Sequence, residues 1–468
     1  MSERARQLYD TAVEQVRRGQ VRPALVTLLD VLRHAPDHRE ALQSSARICR
    51  MLGSELDALL FERVAAEPED PQALFELGYR LVDQGRPETA AALLAAALAV
   101  QPEDRSLRRE LAFARLQSRD FTGCLTLLGP LAEDPALAET ERLDVLLTAA
   151  EAALLAGRRE LCADLLEQAE QIVPDDAQRE RHDALALQLG RARRLPSLER
   201  VGLREWHYVQ HAGVILKTAG GYFEDGSRAG RYDVVELRPD RLAFLLQRLV
   251  HLLERLGLLP DAVEPASELA APIAAALALR CGAVLRAVAD DAADDAAEST
   301  LLVAVSAQEF EAHAARLADH RPELRCFSVF LDWERAAPIC PEVVGLLARR
   351  ALLPWETRFA IPPEGGAARE VVGDHRPAAE IGAELVALMD SLPEDDGLAR
   401  RQFEEIYMPF APDLVLGHAE LHPARRRFTP LSPCWTALPR GRPGAERAFD
   451  SDADGSDGDE PDDGDTLR

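Results

Sequence analysis

The sequence predicts a multidomain protein: an N-terminal all-α superhelix of repeated helix pairs, then an α/β domain with a mainly parallel sheet, then a disordered acidic tail. Three observations predict this. A 34-residue rhythm of large, small and helix-ending residues runs from the N-terminus to Pro174, the mark of stacked helical hairpins. Short β-type runs alternating with helical ones take over near Pro196, which argues for a covered parallel sheet. The segment 448–468 is rich in acids and almost free of apolar groups, a composition that cannot bury a core. The expected boundaries are 1–195, 198–440 and 441–468.

The clearest repeat carries Leu74, Leu77, Gly78, Leu81, Gly85, Ala90, Leu94, Ala97 and Pro102. Small residues stand where the first helix of a pair meets the second, Gly stands in the turn between them, and Pro ends the second helix because it cannot continue the hydrogen-bond ladder. Asp70 followed by Pro71 is an N-cap followed by a first-turn proline, which starts a helix. Before this unit come one with Ala12, Gly19, Ala24, Leu28, Val31 and Pro36, and one with Ala46, Gly53, Ala58 and Pro68. After it come one with Leu111, Ala112, Cys124, Leu128, Leu131 and Pro135, and one with Ala150, Ala153, Gly157, Cys162, Leu166, Ala169 and Pro174. Residues 177–193 read as a polar closing helix, which a repeat array needs at its end.

These units, in consecutive register, resemble the tetratricopeptide (TPR) repeat over about two-fifths of the chain. In that family the inner face of the first helix of each pair binds proteins. The resemblance puts Tyr9 and Val13, then Gln72, Phe75, Tyr79 and Val82, then Arg109, Phe113 and Leu116 on that face, and aromatic and Arg residues are common interface anchors. Packing between neighbouring repeats is the other role open to Phe75, Tyr79 and Phe113. TPR domains that clamp a peptide carboxylate use Lys, Asn and Arg here. This chain has mostly apolar residues, with Asp144 and Glu151 in the fifth unit. An apolar or basic peptide, a helix, or the chain's own second half fits better.

In the second half, 213–217 and 232–237 read as strands joined by a turn-rich loop, and 240–257 as a strongly apolar helix. A short strand at 262–264, a helix at 267–279, and buried strands at 282–287 and 300–305 follow. Ser306-Ala307-Gln308-Glu309 is a capping box opening another helix. A strand at 326–331, a helix at 341–349, and amphipathic helices at 378–392 and 397–407 complete the reading, with an acidic loop at 290–299 and proline-rich stretches at 361–363 and 429–433. Residues 350–440 are expected to wrap the core or bridge it to the repeats. The order of elements resembles a phosphoribosyltransferase-type fold over about 110 residues, most closely in 262–282. That family carries two acids and a Thr/Gly phosphate loop where this chain has Val303-Ala304-Val305-Ser306-Ala307, so the resemblance implies a domain without its catalytic loop.

Composition bounds the function. A net charge of −26 argues against nucleic acid as a general partner. Seven scattered cysteines with no C-x-x-C pair fit a reducing compartment. The N-terminus lacks the apolar stretch of a secretory signal, and no apolar run is long enough to span a bilayer. Lys217 is the sole lysine, which suggests an Arg-biased, bacterial genome. The expected setting is cytoplasmic.

Candidate chemistry is sparse. His207 and His211 are four apart, as are His418 and His422. Such pairs can share a metal on a helix, but no third ligand stands nearby in sequence, and the first pair runs into a strand. Packing is the expected role of Trp206, His207 and Tyr208. Asp450, Asp452, Asp454 and Gly455 imitate the start of an EF-hand, with Pro461 where the last ligand belongs. Arg425–Arg427 is the one dense basic cluster, and no common nucleotide-binding or serine-hydrolase signature occurs. The sequence therefore reads as a non-catalytic adaptor that holds a protein or peptide partner on the repeat groove, with no metal, cofactor or membrane insertion and with homo-oligomerisation open. The alternatives are an enzyme whose phosphoribosyltransferase- or glycosyltransferase-like domain is regulated by the repeats, with Gly220-Gly221 as its least unsuitable phosphate loop, and a self-assembling structural subunit.

Overall fold

The structure is a computed structural model and describes residues 2–172, 174–196, 198, 201–217, 231–287, 299–318, 323–360, 368–392 and 407–416. Two compact units divide between Val201 and Gly202. The loop at 290–298, most of the helix expected at 397–407, both proline-rich stretches, His418, His422, the Arg425–Arg427 cluster, Gly220-Gly221 and the tail lie outside the described residues.

The first unit is a run of antiparallel helix pairs: α1 (Glu3–Arg17) with α2 (Val21–His34), α3 (Arg39–Met51) with α4 (Glu55–Ala66), α5 (Pro71–Asp83) with α6 (Pro87–Val100), α7 (Arg105–Gln117) with α8 (Phe121–Ala132), and α9 (Glu139–Leu155) with α10 (Arg159–Glu170). The closing helix α11 (Asp176–Arg194) follows. The pairs form because each carries a small residue on both helices where they cross, always twelve residues apart: Ala12 and Ala24, Ala46 and Ala58, Gly78 and Ala90, Ala112 and Cys124, Ala150 and Cys162. All of these are buried. At Gly78 a Cβ would stand 2.7 Å from Leu94 Cγ, so the third pair closes to a distance only Gly allows. Burial pushes the Cys124 and Cys162 thiols up to about 12, which leaves them as inert small fillers.

Caps and turns set the helix ends. The Asp70, Asp104 and Asp120 side chains accept from first-turn N–H groups, Pro71 and Pro87 open their helices, and Asp175 with Gln178 makes a full capping box. The turn inside each pair holds one residue in the left-handed region: Gly19, Gly53, Gly85, Arg119 and Gly157, with φ between 66° and 80°. The fourth unit thus places Arg119 where its neighbours use Gly. The second repeat departs from simple stacking: α2 and α6 touch directly, and the buried Thr89 Oγ1 donates to the Leu29 carbonyl at 3.1 Å.

The second unit opens with α12 (Leu203–His211), which runs into β1 (Val214–Ile215). There follow β2 (Arg231–Glu236), α13 (Pro239–Leu256), β3 (Ala262–Pro265), α14 (Ala271–Cys281), β4 (Val284–Leu285), β5 (Thr300–Ser306), α15 (Ala314–Leu317), β6 (Leu324–Leu331), β7 (Val343–Leu352), the antiparallel hairpin β8 (Arg358–Ala360) and β9 (Arg369–Val371), and α16 (Ala378–Ser391). The main sheet has the order β1-β7-β6-β5-β3-β4, with β2 also on β7, and every pairing in it is parallel. Every residue of β3 and β6, and all but the last of β5, are buried, so the middle of the sheet is covered on both faces. Helix α13 packs on β7, α14 on β3, and α16 on both helices.

Three expectations are corrected. The segment 341–349 is strand β7, not a helix; its continuous apolar run is that of an interior strand, which carries no alternation to mark it. The strand expected at 282–287 is two residues long and exposed, because β4 is the sheet edge. The Ser306 capping box is present, but it opens a 3-10 helix (Ala307–His313) before the short α15.

Candidate protein-binding face of the repeats

The first helices of successive pairs carry equivalent positions 34 residues apart, so Phe75 of α5 corresponds to Arg109 of α7, Tyr79 to Phe113, and Val82 to Leu116. The structure divides the predicted residues into three groups. Gln72, Tyr79, Arg109 and Phe113 are exposed, with Tyr79 at 50% and Phe113 at 38%. Tyr9, Val13, Phe75 and Val82 are half-buried, and Tyr9, Phe75 and Val82 pack against the core of the first repeats. Leu116 is buried and offers no surface; it lies in the last turn of α7, inside the packed interior, which corrects its expected place on the face. The Tyr9 ring lies against His38, the N-cap of α3, at 4.9 Å between centroids, so it tilts toward an inter-repeat role. Phe75 and Tyr79 lie 6.2 Å apart on the same helix.

Acids share these helices and their neighbours with the aromatic residues. Glu76 accepts from Gln72 Nε2 at 2.8 Å and pairs with Arg63 at 2.6 Å, Arg80 pairs with Asp57 at 2.8 Å, and Arg109 meets Glu141 at 3.4 Å. The Arg109–Glu141 pair is exposed at both ends and contributes little to stability, whereas Asp57 keeps only 13% of its side chain in water. Glu110 differs: partial burial raises its carboxyl above the usual range, Asp83 raises it further, and the nearby Arg109 only offsets this in part. Sequence reasoning did not single out Glu110 or Asp83, because their coupling needs α5 and α7 side by side.

The sign of the Glu110 effect is testable. With its folded-state pKa above the unfolded one, the folded chain holds that proton more tightly, and stability falls as pH rises through the window between them. Glu110→Gln is therefore expected to raise the melting temperature of the repeat unit at neutral pH. The gain is expected to vanish once the pH drops below the ordinary carboxylate range. Melting curves of both proteins across pH check this, and an equal gain at every pH contradicts it.

On the fifth unit the closing helix reaches the acids of the face. Asp144 accepts from Gln178 Nε2 at 3.0 Å, and Arg181 of the closing helix donates to Glu151 at 2.9 Å and to Thr148 Oγ1 at 3.1 Å. The acids that disfavour a carboxylate clamp thus serve to seat α11. In the second unit, the segment after β5 is tied down by its own hydrogen bonds. Glu309 accepts from the Ser306 and Val305 N–H groups and from Ser267 Oγ at 2.6 Å, and His313 Nε2 meets the Ala266 carbonyl at 3.0 Å.

The helix pairs, their small-residue crossings and their 34-residue register make the first unit a TPR superhelix. No protein-family model matches the chain, and no curated protein matches it. Among solved structures it is similar to MamA 41-end from Desulfovibrio magneticus RS-1, at 18% identity over 36% of this chain and 96% of that one, with a TM-score of 0.23. It is also similar to pilF of Pseudomonas aeruginosa, at 18% identity over 41% of this chain and 85% of that one, with a TM-score of 0.25. A third is YrrB, a TPR protein with an unusual peptide-binding site, at 16% identity over 40% of this chain and 91% of that one, with a TM-score of 0.26. Likenesses this distant carry no argument about function and lend nothing to the phosphoribosyltransferase-like reading of the second unit. No helix among the described residues is long and apolar enough to cross a membrane.

Proposed function

We propose that the chain is a non-catalytic adaptor that holds a protein partner on the α5–α7 face of its TPR unit. One observation carries the reading. Tyr79 and Phe113 stand at equivalent positions of adjacent repeats and stay exposed, while Leu74, Leu77 and Leu81 of α5 and Leu107, Leu111 and Leu116 of α7 are buried. Two exposed aromatic rings on one preformed face can bury large area at low entropic cost on binding. The acids on the same two helices, Glu76, Asp83 and Glu110, suit a partner segment that presents apolar and basic side chains together. Basic groups brought against Asp83 and Glu110 would offset the burial and the Asp83 charge that together raise Glu110.

The test is affinity capture of partners by the full-length protein and by the Tyr79→Ala, Phe113→Ala double variant, followed by affinity measurement with the captured partner. Interface anchors of this type contribute about 2 kcal/mol or more each, so the double variant is expected to lose a specific partner entirely at micromolar concentration. An unchanged partner list and affinity, with the repeat unit still folded by circular dichroism, rejects the proposal.

A further inference from the structure

A second group of side chains, in the second unit, has no part in the repeat face. Helix α12 ends at His211; Ala212 takes the left-handed conformation at φ 53°, and Gly213 leads straight into β1. Strand β1 joins β7 in parallel, with the Val214 N–H donating to the Glu342 carbonyl at 3.0 Å. This pairing sets the end of α12 against the segment just ahead of β7, where Cys340 stands. His207 and His211, one helical turn apart, and Cys340 then bring one donor atom each to within 4.8 Å of one another.

His207 is 2% exposed, and neither of its ring nitrogens has a hydrogen-bond partner among the described residues. A buried imidazole left in that state costs on the order of 1–3 kcal/mol, which a core histidine with no further role has no reason to carry. Gly213 keeps the ring's edge open: a Cβ there would stand 2.7 Å from His207 Nε2 and 3.3 Å from the Glu342 carbonyl oxygen. His211 and Cys340 are only partly buried as residues.

We propose that His207, His211 and Cys340 form a three-ligand site for a divalent transition ion of the zinc class, with the fourth position left to water or an outside donor. Two imidazoles and a thiolate are the donor set of zinc and its neighbours and not of calcium or magnesium, which take oxygen. Tetrahedral zinc, with bonds of about 2.0–2.1 Å to nitrogen and 2.3 Å to sulfur, places its donors roughly 3.3–3.7 Å apart. The three atoms here, all within 4.8 Å of one another, need to close by about 1 Å at most, which side-chain rotation can supply. The i,i+4 spacing puts both imidazoles on one side of α12, and the parallel register of β1 with β7 brings the thiol to that side.

The test uses the full-length protein after chelator treatment and dialysis. Zinc titration against a chromophoric chelator is expected to show one tight equivalent per chain, and zinc is expected to raise the melting temperature. Cobalt substitution is expected to give a thiolate-to-cobalt charge-transfer band with the visible bands of a four-coordinate site. Cys340→Ser is expected to abolish the charge-transfer band and weaken zinc binding by about 100-fold or more, beyond what loss of an outer-shell partner costs. His211→Gln, the second variant, keeps the thiol and is expected to weaken zinc binding to a similar extent. A wild-type protein with no charge-transfer band overturns the proposal, as does a band that survives in Cys340→Ser or a variant that binds zinc as tightly as wild type.

Discussion

Arg316→Ala is expected to destabilise the second unit by about 3 kcal/mol, the low end of what breaking a buried ion pair costs. Glu264 is 1% exposed near the carboxyl end of β3, a strand buried along its whole length between β5 and the edge strand β4. Its two oxygens accept from Arg316 Nη1 at 2.6 Å and Nη2 at 3.0 Å. This bidentate geometry is the strongest that a guanidinium and a carboxylate make. Arg316 itself keeps 26% of its side chain in water, so the desolvation falls mainly on Glu264. Removing the guanidinium leaves that carboxylate buried without its counter-charge. For a unit of this size, about 3 kcal/mol corresponds to a fall of roughly 6–12 °C in melting temperature. Adding Glu264→Gln to the same chain removes the stranded charge, and the double variant is expected to recover much of the loss. A single variant that melts with the wild type would show that water reaches Glu264 and that the pair is not a buried one.

The two units were legible to different degrees, for physical reasons. In the repeats the signal is local and redundant: a small residue, a second one twelve positions on, a turn Gly and a closing Pro, all within one hairpin. Even there, Arg119 hid a left-handed turn residue, and Leu116 shared its register position with half-buried Val82 yet lies inside. Whether such a position is covered depends on the neighbouring helices and not on its own. In the second unit, strand and helix order was readable wherever a run had a boundary residue or a cap, as at Ser306 and at Gly257, which closes α13 in the left-handed region at φ 68°. The histidine pair lacked its third donor in sequence because Cys340 reaches it through the β1–β7 pairing, and no spacing rule spans that distance along the chain. The pair, expected to run into a strand, lies wholly on α12, and the strand begins only at Val214.

Strand β7 was the largest misreading, and it carries the second large expected effect. The run Val343–Leu352 is continuous in apolar residues and then rich in Ala, Leu and Arg, a composition that favours a helix by propensity. Tertiary structure overrides it, because β7 is the strand on which β1, β2 and β6 all pair. Gly345 is the residue that permits the approach to β6. A Cβ there would lie 2.4 Å from the Val329 carbonyl oxygen and 3.1 Å from its carbonyl carbon. These are backbone atoms held by the ladder that pairs Ser328 with Val344 and Phe330 with Leu346, so no side-chain rotation relieves the clash. Gly345→Ala is therefore expected to cost at least the roughly 1–3 kcal/mol of ordinary core overpacking, and Gly345→Val more. Gly190→Ala serves as the control: it sits in α11 with nothing within 4 Å of the added methyl, and it should gain about 0.5–1 kcal/mol from helix propensity. Chemical denaturation of the three variants beside the wild type separates the outcomes. If Gly345→Ala unfolds at the wild-type midpoint, β6 and β7 do not approach as closely as this register requires. The parallel pairing that places Cys340 beside α12 would then lose its footing as well.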